Sequence, residues 1–214
     1  MKYFTGMLLA AGLFSASLIA QSHQEAKQLL EKAADELKSH PQVYLEFDYN
    51  FENNRVDPPV VQKESGKIAV KGDDYRLEIM GMEQLRKGSK LYTILHDDEE
   101  VQVTEYDEEE NSGLTPTSIL ESFRSGYSYK LGGSEQIDGK TIRYVILKPR
   151  ASEEIDKIMV GIEAKSYQLH SLKQWGTNGT VTTFTITNYD AGKELPSGYF
   201  QFDKSKYPGY YIAD

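Results

Sequence analysis

The sequence predicts a mainly β protein, an antiparallel sandwich or barrel of about ten to eleven strands with two helices lying on it. Three observations predict this. From Val43 onward the hydrophobic pattern has a period of two, and runs of that kind recur at the ~8–12-residue spacing of antiparallel β architectures. Tight-turn signals stand between the runs, Asp138-Gly139 and Asn178-Gly179 among them, and these dipeptides favour two-residue hairpins. Only residues 24–38 and 115–123 carry helical spacing. A helix with one apolar stripe has to cover something, and the concave face of a sheet is the available partner.

The chain opens on Lys2, an uncharged apolar stretch from Met7 to Ala20, and then the polar Gln21-Ser22-His23-Gln24. That is the layout of a secretory signal peptide, with cleavage expected after about Ala20. The stretch is shorter than the ~20 residues that span a bilayer. Residues 21–214 are then expected to form a single domain, consistent with ~100–200 residues per domain. The 214 residues contain no Cys, so no disulfide staples an exported fold and core burial alone must hold it.

In the first helix Ala26, Leu29, Leu30, Ala33, Ala34 and Leu37 form one stripe, with Glu31, Lys32, Asp35 and Glu36 opposite and Pro41 as the stop. Next, Val43, Leu45, Phe47, Tyr49 and Phe51 alternate with Tyr44, Glu46, Asp48, Asn50 and Glu52, a half-buried strand. Further strands are expected at 66–70, 74–80, 90–95, 100–105, 127–131, 141–148, 157–163, 168–174 and 181–188, and a short last one at 199–203. The acidic run 107–111 interrupts the series. Thr115 as N-cap and Pro116 at the first helical position start the second helix, Ile119, Leu120 and Phe123 give it an apolar side, and Gly126 ends it.

Catalytic patterns are missing. His23, His40, His96 and His170 stand at no metal-ligand spacing, and there is no HExxH, GxSxG, P-loop or GxGxxG. His96 beside Asp97-Asp98 reads as a solvated hairpin tip, and Asp107-Glu108-Glu109-Glu110 lacks the alternation of a calcium loop. Glu46 and Asp48 share a strand face with Tyr44, the face turned away from the apolar one, which does not suit a glycosidase pair. The charge of 24 basic against 33 acidic residues argues against nucleic acid and anionic membrane surfaces. No enzyme, cofactor or metal is therefore expected. What is abundant is apolar and aromatic surface on strands, with 15 tyrosines. Composition does not separate a filled core from a hollow one.

The order of motifs carries a resemblance. The helix leads into Val43–Phe51, then Gly66-Lys67-Ile68-Ala69-Val70-Lys71, Tyr75-Arg76-Leu77-Glu78, Gly88-Ser89-Lys90-Leu91-Tyr92-Thr93-Ile94 and Glu100-Val101-Gln102-Val103. Thr115-Pro116 with Ile119-Leu120, Val145-Ile146-Leu147-Lys148-Pro149, residues 158–162, Phe184-Thr185-Ile186, Phe200-Gln201-Phe202-Asp203, Pro208-Gly209 and Ile212-Ala213-Asp214 complete the series. Over nearly the whole mature chain this resembles the periplasmic outer-membrane lipoprotein carriers (LolA-like). The resemblance implies a strongly curved, incomplete antiparallel β-barrel whose concave face is covered by helices. It implies a periplasmic chaperone that takes triacylated lipoproteins from an inner-membrane ABC-type release complex and, in well-studied members, delivers them to an outer-membrane receptor; nothing in the sequence requires more than a monomer. Its acyl-chain cavity would be lined by Leu45, Phe47, Tyr49, Phe51, Ile68, Val70, Tyr75, Leu77, Tyr92, Ile94, Ile119, Leu120, Phe123, Tyr144 and Ile146. Where the family often has an Arg that tethers the helical lid, this chain has Gly72, with Arg76 nearby. Two alternatives are a carrier or sensor of another lipid on the same scaffold, and a non-enzymatic exported interaction module with a packed core.

Overall fold

The computed structural model describes residues 10–107, 120, 123 and 126–213, with side chains of the first helix described from Ser22 onward. The long helix α1 (Ala10–Ser39) is followed by β1 (Val43–Asn53), β2 (Val60–Lys71), β3 (Asp74–Ile79), β4 (Met82–Lys87), β5 (Lys90–Leu95) and β6 (Glu100–Glu105). After residues 108–125 come β7 (Tyr127–Ile137), β8 (Lys140–Pro149), β9 (Ile155–Glu163), β10 (Leu169–Gly176), β11 (Thr180–Asp190) and the short β12 (Tyr211–Ala213). All twelve strands form one sheet in the order β12-β6-β5-β4-β3-β2-β1-β11-β10-β9-β8-β7. Every neighbour is antiparallel except β12, which runs parallel to β6. The sheet is open and strongly curved, an incomplete barrel.

The strands differ from the expectation in several places. β4 was not expected; its Met82-Glu83-Gln84-Leu85-Arg86-Lys87 is mostly polar and lacks a β-branched run. Met80 and Gly81, both at positive φ (52° and 69°), make the two-residue turn that folds it back on β3. β2 begins at Val60 rather than Gly66, because pairing with all of β1 carries its polar first half into the sheet. The strand expected at 199–203 is not one: those residues are turn and irregular chain, and the last strand is β12.

The alternation of side chains gives the sheet two different faces. On the inner face, Leu45, Phe47, Ile68, Tyr75, Leu77, Val145, Leu147, Val160 and Ile162 join one core with Ala26, Leu29, Leu30, Ala33, Ala34 and Leu37 of α1. The helix lies on β7, β8 and β9. Its stripe is the expected one, and Arg143 Nη2 to Glu25 (2.5 Å), Tyr189 Oη to Glu36 (2.7 Å) and Lys32 Nζ to Tyr167 (3.2 Å) tie it down. On the outer face the segment between β11 and β12 crosses the sheet as a strap. Lys193 stands 3.2 Å above the Tyr44 ring, Phe200 packs with Tyr44 and Ala69, and Tyr207 packs with Ile94 and Val101.

Candidate functional site

Where α1 does not reach, the inner face is left open. Leu45, Phe47 and Tyr49 of β1, Ile68 of β2, Leu77 and Ile79 of β3, and Met80 and Met82 at the β3–β4 turn form one side of a cavity of about 240 Å³. Leu169, Ser171 and Leu172 of β10 and Phe184 and Ile186 of β11 form the other. Among the described residues Ser171 is the one polar residue in the wall, and none of α1 belongs to it. Met80 is 45% exposed and stands on the side open to solvent.

The geometry of each strand explains the wall. Residues two apart on β1 share a face, and Tyr49 pairs with Phe184 while Phe47 pairs with Ile186. The rings of Phe47 and Tyr49 lie 5.7 Å and 5.2 Å from that of Phe184, tilted or edge-on, a favourable aromatic arrangement. Opposite Phe47 the sheet has Gly66. A Cβ there would sit 2.5 Å from the Phe47 ring, so the missing side chain lets the ring lie flat on β2. Leu169 and Leu172 are three apart, a spacing that a regular strand would send to opposite faces. A register shift between Leu169 and Ser171 brings both into the wall. Burial pushes the Tyr49 phenol above its ordinary range, in keeping with an apolar setting.

Of the fifteen residues expected around a cavity, the structure brings Leu45, Phe47, Tyr49, Ile68 and Leu77 together in this wall. Phe51, Val70 and Tyr75 share their face but lie beyond it. Leu120 and Phe123 are buried against Leu30, Ala34 and Tyr129 around a gap of only about 10 Å³, so they fill space over α1 instead of bounding the cavity. Ile119 lies outside the described residues. Four residues belong to the other face. Tyr92 stacks on Phe202 at 4.5 Å and Ile94 is buried with Val101 and Tyr207 under the strap. Tyr144 and Ile146 alternate with the inward Val145 and Leu147 and lean on Gly132 and Gly161 of the neighbouring strands. The correction has one physical cause: Tyr144-Val145-Ile146-Leu147 and Leu91-Tyr92-Thr93-Ile94 have no clear alternation, and a one-residue error of phase reverses the face. The wall also contains Ile79, Met80, Met82, Leu169, Leu172, Phe184 and Ile186, none of which was expected in it. Phe184-x-Ile186 carried a usable period-two signal; the β10 pair, set by a bulge, carried none.

The other candidates resolve into structural roles. Arg76 turns to the outer face, pairs with Glu83, and lies 5.2 Å from the Tyr199 ring. Tyr207 Oη donates to Glu83 at 3.1 Å and 3.2 Å. This cluster fastens the strap, so Arg76 serves the face opposite α1. His96 Nδ1 is 3.1 Å from Tyr210 Oη, and its ring also faces Glu83. Glu46 accepts from Tyr44 and Asp48 from Ser65. With Lys67, Glu78 and His96 they line one side of an open groove of about 530 Å³ whose other lining includes Phe47, Ile79, Met80 and Met82 of the cavity wall. Among the described residues no group of three or more His, Asp or Glu side chains is arranged to hold a metal.

The curved, open antiparallel sheet with a helix on its inner face has a LolA-like fold. Among solved structures, an uncharacterised conserved protein from Thermus thermophilus is similar over 88% of this chain and 98% of its own, at 7% identity and a TM-score of 0.56. The Mycobacterium tuberculosis lipoprotein LppX is similar over 82% of this chain and 100% of its own, at 13% identity and a TM-score of 0.52. A LolA superfamily protein from Nitrosomonas europaea overlaps more loosely, over 83% of this chain and 98% of its own, at 13% identity and a TM-score of 0.43. No family model and no curated protein matches the sequence.

Proposed function

We propose that the protein is an exported, periplasmic carrier that shelters hydrocarbon chains of lipoproteins in the β1–β4/β10–β11 cavity and gives them up again. Binding, not catalysis, is its task. The observation that carries the reading is the cavity itself: about 240 Å³ of space with one polar residue among the described residues of its wall. Empty cavities lined by apolar side chains stay dry and accept apolar guests. Each methylene that leaves water for such a site gains ~0.8 kcal/mol, so a chain is held firmly without any bond-making residue. The volume lies below the ~300–1,000 Å³ of ordinary ligand pockets. At rest it suits part of one acyl chain. Triacylated cargo would therefore require the wall to spread, and Met80 and Met82 at its open side are the flexible side chains suited to that. In this reading residues 1–20 direct export, and an inner-membrane release complex and an outer-membrane receptor are the partners between which cargo passes.

The test is uptake of an environment-sensitive apolar dye by the purified protein, with competition by palmitate. Saturable one-to-one binding is expected, lost in Phe47→Glu. The half-buried Tyr49→Glu serves beside it in case Phe47→Glu unfolds, with circular dichroism as the check on folding. A folded Tyr49→Glu that takes up dye as well as the unaltered protein, or an unaltered protein that takes up none, overturns the reading.

A further inference from the structure

β2 is longer than the strand beside it. It pairs with β1 from Val60 to Val70, but pairing with β3 starts only at Lys67–Glu78. Along residues 60–66 one side of β2 is hydrogen-bonded to β1, and among the described residues no strand lies on the other. Residues 60–65 are all exposed, Val60 by 47% and Val61 by 57%. An unpaired edge of this length presents every second N–H and C=O to solvent, a template for another chain. The loop that could have folded over it goes the other way: Arg55 Nη1 donates to Thr177 O at 2.7 Å, which holds the loop toward the β10–β11 turn. Nor is the edge remote from the cavity. Gln62 Nε2 is 3.1 Å from Met80 Sδ, and Glu64 and Gly66 pair directly with the wall residues Tyr49 and Phe47.

We infer that residues 60–66 of β2 dock an extended polypeptide segment by strand addition, in line with β3 and beside the open side of the cavity. The occupant is the polypeptide part of an acylated cargo, so backbone and hydrocarbon are read side by side; this part of the inference rests on the proposed carrier role. A backbone is the one ligand that satisfies a row of alternating donors and acceptors, whereas a free lipid cannot. Period-two alternation in the docked segment would turn its apolar side chains toward Phe47, Tyr49 and Met80 and its polar ones outward. A second copy of this chain fits the edge less well: each copy carries a formal charge of −9, and net charge of one sign opposes self-association.

The probe is a labelled eight-residue peptide of alternating Val and Thr, with and without an N-terminal palmitoyl group, and palmitate alone. Joining two modest sites in one ligand raises affinity by ~100-fold or more, so the palmitoyl peptide is expected to bind about that much more tightly than palmitate. Amide exchange at 60–66 should slow when it binds. Two further peptides, N-methylated on the odd or on the even residues, separate strand addition from simple greasiness: one set removes the donors that face β2 and loses the gain, the other keeps it. Equal affinity for palmitate and palmitoyl peptide, or no protection at 60–66, overturns the inference while dye uptake leaves the carrier role standing. Sedimentation showing a dimer that loses the same protection on dilution also overturns it, in favour of edge-to-edge self-pairing. If neither palmitate nor the palmitoyl peptide binds but the plain peptide protects the edge, the acylated-cargo part fails together with the carrier role.

Discussion

The two faces of the same sheet are finished in different ways. Under the strap, Ile94 and Val101 are completely buried, and Phe202 lies between Tyr92 and Tyr207 in a near-parallel stack, 4.5 Å from one ring and 5.5 Å from the other. The chain's own last turns supply the covering layer. On the inner face α1 performs that service for β7–β9 and meets the end of β11 through Tyr189, but among the described residues none of α1 lines the space between β1–β4 and the rest of β10–β11, and about 240 Å³ stays unfilled. Close packing is the rule in protein interiors. A hollow maintained beside a filled layer of the same strands shows that the residues were able to make a tight core, and that the gap is a property of which segment covers which face. Over these strands the tight packing is thus outside and the adaptable surface inside.

The comparison breaks most visibly at the ion pair under the strap. Arg76 and Glu83 are both nearly enclosed, with side chains 9% and 8% exposed. Truncating one partner leaves the other charge buried and unpaired, a cost of about 3–5 kcal/mol. Arg76→Ala is therefore expected to lower the urea midpoint severely, and Arg76→Met with Glu83→Leu to restore most of the loss, because well-packed apolar residues often replace a buried pair at no net cost. A midpoint unchanged in Arg76→Ala would mean that the strap is not fastened there and that the outer layer is not the stable one.

A matched pair of truncations sharpens the contrast. Ile94 has neighbours on every side, so Ile94→Ala falls in the ordinary core range of ~2–5 kcal/mol. Leu77 already faces open space and has fewer atoms to lose contact with. Leu77→Ala should cost less than about 2 kcal/mol in denaturant unfolding, yet change apolar-dye affinity, which Ile94→Ala should leave alone. Equal stability losses would show that the cavity closes up in solution.

How far these faces could be read in advance depended on phase. In β1 the strict alternation from Val43 to Phe51 identified both the strand and its inward side, and Leu45, Phe47 and Tyr49 follow from it. The α1 stripe was legible for the same reason. In β5 and β8, four residues in a row suit either face, and Ile94 and Ile146 could be placed only by their pairing partners. The strap was invisible because nothing local marks an irregular segment as a covering layer; its aromatic residues looked like another strand. Nor does sequence disclose a hollow. A cavity is the absence of a covering side chain, decided by how far a helix extends along a sheet rather than by any residue in the wall.

The smallest expected effect lies in alkali. The Tyr207 phenol is pushed up to about 12, chiefly by burial and then by the Glu83 carboxylate, with Arg76 pulling the other way. An unfolded tyrosine gives up its proton near ~10. Between that value and about 12 the folded protein still holds a proton that the unfolded chain has released. The unfolded state then binds fewer protons, so stability falls as pH rises through this window and the contribution is complete below it. Burial raises Tyr49 in the cavity wall as well, though without a carboxylate against it. Tyr75 and Tyr189 are raised too, by burial first, so no single substitution removes the whole alkaline slope. Urea midpoints followed from about pH 9 to about 11.5 should fall less steeply in Tyr207→Phe than in the unaltered protein. Tyr49→Phe should flatten the fall less. The reverse ranking would place the tighter, more desolvated phenol in the cavity wall, and with it the better-packed face of the sheet.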